Sequence, residues 1–94
     1  VIDSDQLLKN PEEYLQKICK TLGISFTKQM LSWQKGGIQE DGVWAKYWYG
    51  NVHKSTGFAI QKTNSHMVPD SLQSVLDQAL IHYTILKNHI LKND

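Results

Sequence analysis

The feature that most constrains this fold is a glycine-rich segment in the middle of the chain. Between Gln34 and Val68, glycines recur at short intervals and interrupt any helical or strand periodicity. Large aromatic residues stand among them: Trp44, Tyr47, Trp48, Tyr49 and Phe58. Such a segment is typical of a structured functional loop, or of a loop that wraps another surface. Long regular elements are therefore expected only on either side of residues 34–68, which we call the aromatic loop.

The segment before the aromatic loop, residues 1–33, is predicted to contain a strand exit and two helices. Val1–Ser4 has the pattern of a buried strand that ends in a turn. An apolar stripe predicts a helix over residues 11–22, in which Pro11 suits the first helical position. A shorter helix is expected from Thr27 to Trp33.

Two local signals mark the ends of the helix over residues 11–22. Asn10 and Glu13 have the spacing of a capping box, in which each side chain accepts a hydrogen bond from the other residue's backbone. Gly23 is predicted to end the helix in a left-handed conformation. Cys19 falls on the apolar face, so we expect a buried and inert thiol.

The segment after the aromatic loop, residues 69–94, is predicted to be one long helix. Asp70 and Gln73 form a plausible cap pair. Apolar residues then recur at three- and four-residue steps: Leu72, Val75, Leu76, Ala79, Tyr83, Leu86 and Ile90. The preceding helices are too short to cover this stripe, so we expect part of it to pack on material that is not in the chain.

Composition fits a chain that is mainly α-helical when taken alone, forming one domain or part of one. Leu, Ile, Val and Phe fill 25 of 94 positions, above the roughly 20% below which chains tend to stay disordered. No apolar run approaches a membrane span and no leader opens the chain, so we expect no membrane partner and a cytoplasmic protein. The sequence starts at Val1 without methionine, and we expect a segment of something longer.

Charge and motifs exclude several classes of function. The net charge is +1 and all ten basic residues are lysines; without arginine, DNA reading is not expected. Single-stranded nucleic-acid binding through the tryptophans is disfavoured by the near-zero charge. The four histidines lack metal-ligand spacing, so no metal is expected, and no motif supplies a catalytic residue. The histidines are His53, His66, His82 and His89.

The remaining candidate is the stretch from Trp44 to Phe58. It combines lysines, a histidine and paired hydroxyls with backbone N–H groups beside glycines, which are groups that hold a phosphate or sulfate. The residues themselves leave two interpretations open: an anion-binding loop, or an aromatic loop with a structural role only. The candidate cofactor-binding residues are Trp44, Lys46, His53, Lys54, Ser55 and Thr56.

Read in order, several of these segments resemble the late region of P-loop sulfotransferases. Residues 5–24, DQLLKNPEEYLQKICKTLGI, resemble the helix that follows a strand in that family. MLSW at 30–33, EDGVWA at 40–45 and NVHKSTGF at 51–58 are similar to a bacterial and plant branch described as sulfotransferase-like. The likeness covers nearly the whole chain. It implies that the chain is the C-terminal part of an α/β P-loop fold.

The resemblance also implies a chemistry: transfer of a sulfuryl group from 3′-phosphoadenosine 5′-phosphosulfate to a hydroxyl or amine. The family's P-loop and catalytic base lie outside these residues, so the chain is not expected to catalyse the reaction alone. The family's C-terminal Arg-Lys-Gly-x-x-Gly-Asp-Trp-Lys loop is echoed only by Lys35-Gly36 and by residues 41–46. The arginine is missing, the Gly-Asp order is reversed and the spacing is longer.

Two functions follow as hypotheses. The first is the C-terminal portion of a sulfotransferase-like enzyme, supplying a loop over the nucleotide and acceptor site, with the remainder of the parent chain as its partner. The second is a small helical interaction module without enzymatic activity, in which the stripe over residues 72–90 docks a partner helix or a second copy of the chain.

Overall fold

The computed structural model describes residues 1–62 and 65–92. Thr63 and Asn64 of the aromatic loop, and Asn93 and Asp94 of the predicted C-terminal helix, lie outside the described residues. The described part is mainly helical, as predicted. It contains five α-helices: α1 (Ser4–Lys9), α2 (Pro11–Leu22), α3 (Ala45–Trp48), α4 (Gly50–Lys54) and α5 (Gln73–Lys87).

The N-terminal segment begins with a helix where a strand exit was expected. Val1–Asp3 form no strand, and α1 starts at Ser4 because the Asp3 carboxylate accepts hydrogen bonds from the backbone N–H groups of Asp5 and Gln6. Within the described residues, β pairing is limited to one isolated bridge between Ser32 and Gly57.

The predicted helix over residues 11–22 is confirmed as α2, and Pro11 occupies its first turn. Asn10 separates α1 from α2 because it precedes a proline and adopts a non-helical conformation (φ −139°, ψ 64°). The predicted capping pair of Asn10 and Glu13 is wrong, since the Asn10 side chain makes no capping hydrogen bond. Gly23 ends α2 in the left-handed region at φ 71°, as predicted.

Beyond α2, the predicted short helix is a 3-10 turn over Lys28–Leu31, directly after Thr27. It packs on α2, where the Cys19 thiol lies 3.8 Å from the Met30 sulfur. The aromatic loop is more helical than its glycines suggest, because α3 and α4 lie within it together with a 3-10 turn over Gln39–Asp41.

The C-terminal helix is present but shorter than predicted. A 3-10 turn over Asp70–Leu72 leads into α5, which ends at Lys87. The predicted cap between Asp70 and Gln73 is not formed, because the Gln73 amide instead donates to Asp77 within the helix, 2.9 Å away. No helix in the described ranges has the length and apolar character needed to cross a bilayer.

The core is small and lies on α2. Tyr14 and Cys19 are each only 3% exposed, and Ala45 of α3 is the other buried apolar residue among those described. The residues after α5 return to α2: the Tyr14 hydroxyl donates to the Leu91 carbonyl, and the Leu91 N–H donates to the Val1 carbonyl. The radius of gyration is 17.0 Å, whereas a compact domain of this length has roughly 12 Å. The chain alone is therefore an extended arrangement of helices.

Candidate functional site

The most closely connected part of the aromatic loop is the pair formed by Asp41 and His53. The His53 Nε2 lies 2.9 Å from Asp41 Oδ2, and both side chains are about three-quarters covered. The same carboxylate oxygen accepts a hydrogen bond from the Ile38 N–H at 3.0 Å. This is the one side-chain ion pair in the part of the chain that the structure describes, with His53 charged only when protonated.

The hydrogen bonds to Asp41 also change its acidity. The Ile38 N–H and then the His53 imidazole favour the charged carboxylate, so the pKa of Asp41 lies below its ordinary value. Asp41 therefore stays ionised over the range in which most proteins function. A fixed negative charge consequently lies beside His53.

Two glycines bring the chain close to His53. The Gly36 N–H donates to the His53 carbonyl at 2.8 Å. Gly37 lies against the imidazole so closely that an added Cβ would be 2.9 Å from His53 Cε1, nearer than real Cβ atoms approach a neighbour. Residues 36–41 therefore fold against α4, and we call the contacts of Gly36, Gly37, Ile38 and Asp41 with one another and with His53 the latch.

Ser55 and Thr56 form a second connection, to Trp33. The Trp33 indole N–H donates to Ser55 Oγ at 2.9 Å, and Ser55 Oγ donates to the Val52 carbonyl at 2.6 Å. The Trp33 backbone N–H donates to the Thr56 carbonyl at 3.0 Å, and its ring packs edge-on against Phe58. The Ser55 hydroxyl thus already has protein partners, whereas the Thr56 side chain is exposed.

Thr56 borders an open groove of about 600 Å³ between the start of α2 and the Ser32–Gly57 bridge. Glu12 and Glu13 lie on the opposite wall, and no lysine lines the groove. Carboxylates repel a phosphate or sulfate, so this side of Thr56 suits neutral or cationic groups better than an anion.

Trp44, Lys46 and Lys54 are exposed; Trp44 directly precedes α3, and the two lysines lie on α3 and α4. Trp44 is 59% exposed and stacks on Trp48, with ring centroids 5.6 Å apart. The Lys46 ammonium lies 5.0 Å from the centroid of the Tyr47 ring. No hydrogen bond or ion pair from the side chain of Lys46 or Lys54 to another described residue is present. Both ammonium groups remain available to an external anion.

The structure therefore divides the six predicted site residues into two sets. His53 and Ser55 use their side chains to hold the loop together, while Trp44, Lys46, Lys54 and Thr56 present theirs to the outside. Asp41 and Trp33, the partners of His53 and Ser55, were not among the predicted site residues. The spacing of Asp41 from two glycines, Gly37 and Gly42, was the available signal that this carboxylate sits in a tight turn.

Among residues 1–62 and 65–92, no group of three or more His, Cys, Asp or Glu side chains is arranged to hold a metal ion. The latch contains one histidine and one carboxylate. It lacks the number of ligands that a zinc site requires.

Comparison with known proteins places the chain among related sequences. A family model described as "Sulfotransferase domain" matches residues 1–90. Over 90 residues the chain is 44% identical to Branched-chain-amino-acid aminotransferase-like protein 1 and 41% identical to protein 2 of the same name, both from Arabidopsis thaliana. Each alignment covers 96% of this chain but 16% of the relative, so the chain spans only a small part of those proteins' length. No solved structure matches it.

Proposed function

Because the chain belongs to the sulfotransferase domain family, we propose that it is the C-terminal portion of a sulfotransferase-like enzyme of the P-loop class and supplies a loop over the nucleotide and acceptor site. The observation that carries the proposal is that the family match runs through the whole aromatic loop, in which the exposed residues Lys46 and Lys54 stand on helices. The aminotransferase-like name describes relatives of which this chain corresponds to 16%, and we propose no amino transfer for it.

The donor set of the aromatic loop fits an anionic nucleotide. Lys46 and Lys54 supply two ammonium groups and Trp44 supplies an exposed ring face. Thr56 is left out of this set because it borders the groove that Glu12 and Glu13 line. The charge is modest because the chain has no arginine, so the affinity would depend on both lysines acting together. His53 and Ser55 support the loop from within.

When bound, 3′-phosphoadenosine 5′-phosphosulfate supplies the sulfuryl group. In sulfuryl transfer, as in phosphoryl transfer, negative charge develops on peripheral oxygens. Ammonium groups of Lys46 and Lys54 held near those oxygens would stabilise the charge, and ordered loop backbone would exclude water. The catalytic base and the P-loop are assigned to the remainder of the protein.

The test uses adenosine 3′,5′-bisphosphate and the thermal stability of the intact protein. Ligand at roughly 100 times its Kd stabilises a protein by about 2.7 kcal/mol. We expect stabilisation of the wild type and a clearly smaller effect in the Lys46→Ala/Lys54→Ala variant. The matched control is Lys28→Ala/Lys87→Ala, which removes the same charge from exposed positions outside the aromatic loop. Equal stabilisation of all three proteins would show that Lys46 and Lys54 do not bind the nucleotide.

A second candidate function rests on α5. None of its residues is buried, and Val75, Ile81 and Ile85 are more than half exposed. An apolar face of this extent suits a protein partner, so a non-enzymatic interaction module is the alternative. Size-exclusion chromatography with light scattering separates the two. Self-association of the chain together with no response to the nucleotide favours the interaction module, whereas a monomer that folds cooperatively counts against it.

A further inference from the structure

His53 was predicted to contact the nucleotide, yet its hydrogen bonds within the loop indicate a different role. Its Nε2 is 2.9 Å from Asp41, its carbonyl accepts from the Gly36 N–H, and its own N–H donates to the Tyr49 carbonyl. Three of its polar groups are therefore engaged within the loop. A phosphate could bind Nε2 only by displacing the Asp41 carboxylate, which already occupies that position.

The packing around the imidazole supports the same conclusion. Gly37 leaves no room for a side chain: an added Cβ would be 2.9 Å from His53 Cε1, 3.1 Å from Nε2 and 3.3 Å from Asp41 Oδ2. The Tyr49 ring meets the imidazole edge-on from the other helix end, with centroids 6.0 Å apart. Backbone, ring and carboxylate thus hold His53 in one orientation.

The position of His53 links the latch to Lys46 and Lys54. Lys54 is the next residue on α4, so fixing His53 fixes the backbone that carries Lys54. The Tyr49 N–H donates to the Ala45 carbonyl at 2.8 Å, which joins α4 to α3 and hence to Lys46. Ala45 is buried and anchors α3 in turn.

We infer that His53 is a positioning residue, held by Asp41 and Gly37, that orders α3 and α4 so that Lys46 and Lys54 are presented together to the nucleotide. This inference rests on the proposed function of the loop. It assigns roles that the sequence alone did not: Asp41 orients His53, and Gly37 permits the close approach. Affinity is gained because the backbone that carries the two lysines need not be ordered when the anion binds.

The test compares two replacements of His53 in the intact protein. His53→Gln keeps an N–H donor at about the place of Nε2, whereas His53→Asn is too short to reach Asp41. Gly37→Ala disturbs the same contact from the opposite side, and Lys54→Ala is the control for direct anion contact. Two measurements are made on each variant: hydrogen exchange at the Gly36 and Ile38 amides without ligand, and the Kd for adenosine 3′,5′-bisphosphate.

We expect His53→Asn and Gly37→Ala to speed exchange at both amides and to weaken nucleotide binding roughly tenfold, the scale of one hydrogen bond to a charged group. His53→Gln should stay close to the wild type in both measurements. Lys54→Ala should weaken binding and leave the exchange rates unchanged.

Each other outcome contradicts the inference in a different way. Weaker binding by His53→Asn with unchanged exchange would make His53 a direct ligand. Faster exchange with unchanged affinity would show that the latch does not position the lysines. If His53→Gln behaves like His53→Asn, the bond through Nε2 is not the cause. If the wild type fails to bind the nucleotide, the proposed function is refuted, and the positioning role is refuted with it. In that case the exchange rates still report whether the contacts of the latch are present in solution.

Discussion

Helices α2 and α5 were both predicted from apolar stripes, but only α2 has buried residues. α2 has 12 residues and buries Tyr14 and Cys19 against the 3-10 turn at Lys28–Leu31 and the residues after α5. α5 has 15 residues and buries none. An apolar stripe therefore predicts a helix that needs a packing partner, but it does not indicate whether that partner lies in the same chain.

The largest difference in stability between the two helices is expected when a tyrosine is removed from each. Tyr14→Ala should lower the free energy of unfolding by about 3 kcal/mol, because it removes a buried ring and a hydrogen bond to Leu91. Tyr83→Ala on α5 should cost less than about 1 kcal/mol, since Tyr83 is more than half exposed. Urea denaturation of the chain measures both. Equal losses would show that α5 is covered in solution.

A smaller effect is expected from a hydroxyl placed on each helix. Cys19→Ser should destabilise the chain by roughly 1–3 kcal/mol, because a buried thiol is replaced by a group that needs a hydrogen-bond partner. Ala79→Ser on exposed α5 should cost at most about 0.5 kcal/mol, the difference in helix propensity. The midpoints of thermal unfolding provide the measurement. If Cys19→Ser leaves the unfolding midpoint unchanged, water must reach the apolar face of α2.

The two helix ends provide the third contrast. Gly23 ends α2 at φ 71° with open space around its Cα, so Gly23→Ala should cost about 1–2 kcal/mol through backbone strain alone. Asn88 follows α5 in a right-handed conformation, φ −68°. Asn88→Ala should therefore change the stability little. Circular dichroism during urea titration tests the pair, and the prediction fails if Asn88→Ala costs as much as Gly23→Ala.

At acid pH we expect the aromatic loop to lose stability while the two long helices, α2 and α5, keep theirs. The folded pKa of Asp41 lies below its ordinary value, so its stabilising contribution is complete above that ordinary value, about 4, and is lost as the pH falls through the lower folded pKa. Protection of the Gly36 and Ile38 amides, measured relative to their intrinsic exchange rates at each pH, should then fall at a pH where α2 amides stay protected. Asp41→Asn should abolish this pH dependence. Simultaneous loss of protection in the loop and α2 would contradict it.

The smallest change in stability is expected on the open face of α5. Ile81→Glu/Ile85→Glu should alter the free energy of unfolding by less than about 0.5 kcal/mol per site, because both side chains are more than half exposed. The same variant should reduce any self-association of the chain, measured by light scattering. A large loss of stability would place these isoleucines in a core that the chain forms with itself.

The sequence predicted α2 and its left-handed end because those signals are local. Pro11 and Gly23 act on the backbone of one or two residues, so no tertiary information is needed. The caps were predicted less well. Asn10 also ends α1, and its backbone (φ −139°, ψ 64°) lies outside the extended region that capping residues adopt. The aspartate that does cap a helix, Asp3, lies where a strand exit was expected.

The contacts made by the candidate site residues could be predicted only in part, for a physical reason. Lysines near aromatic residues can be found by composition, and Lys46 and Lys54 are indeed exposed. The partners of His53 and Ser55 are distant in sequence, at Asp41 and Trp33, and depend on how glycines fold the loop back. A single sequence does not encode such pairings by spacing, so His53 and Ser55 were grouped with the anion ligands although their side chains are engaged internally.

The stacked indoles of Trp44 and Trp48 give the molecule an optical consequence. All three tryptophans of the chain lie between residues 33 and 48, so its ultraviolet emission reports on this one region and on neither long helix. Trp48 is 71% exposed, so its excited state is in contact with water. Any molecule that settles on this surface would shield the indoles and shift the emission to shorter wavelength, which makes unlabelled protein sufficient for screening ligands by fluorescence.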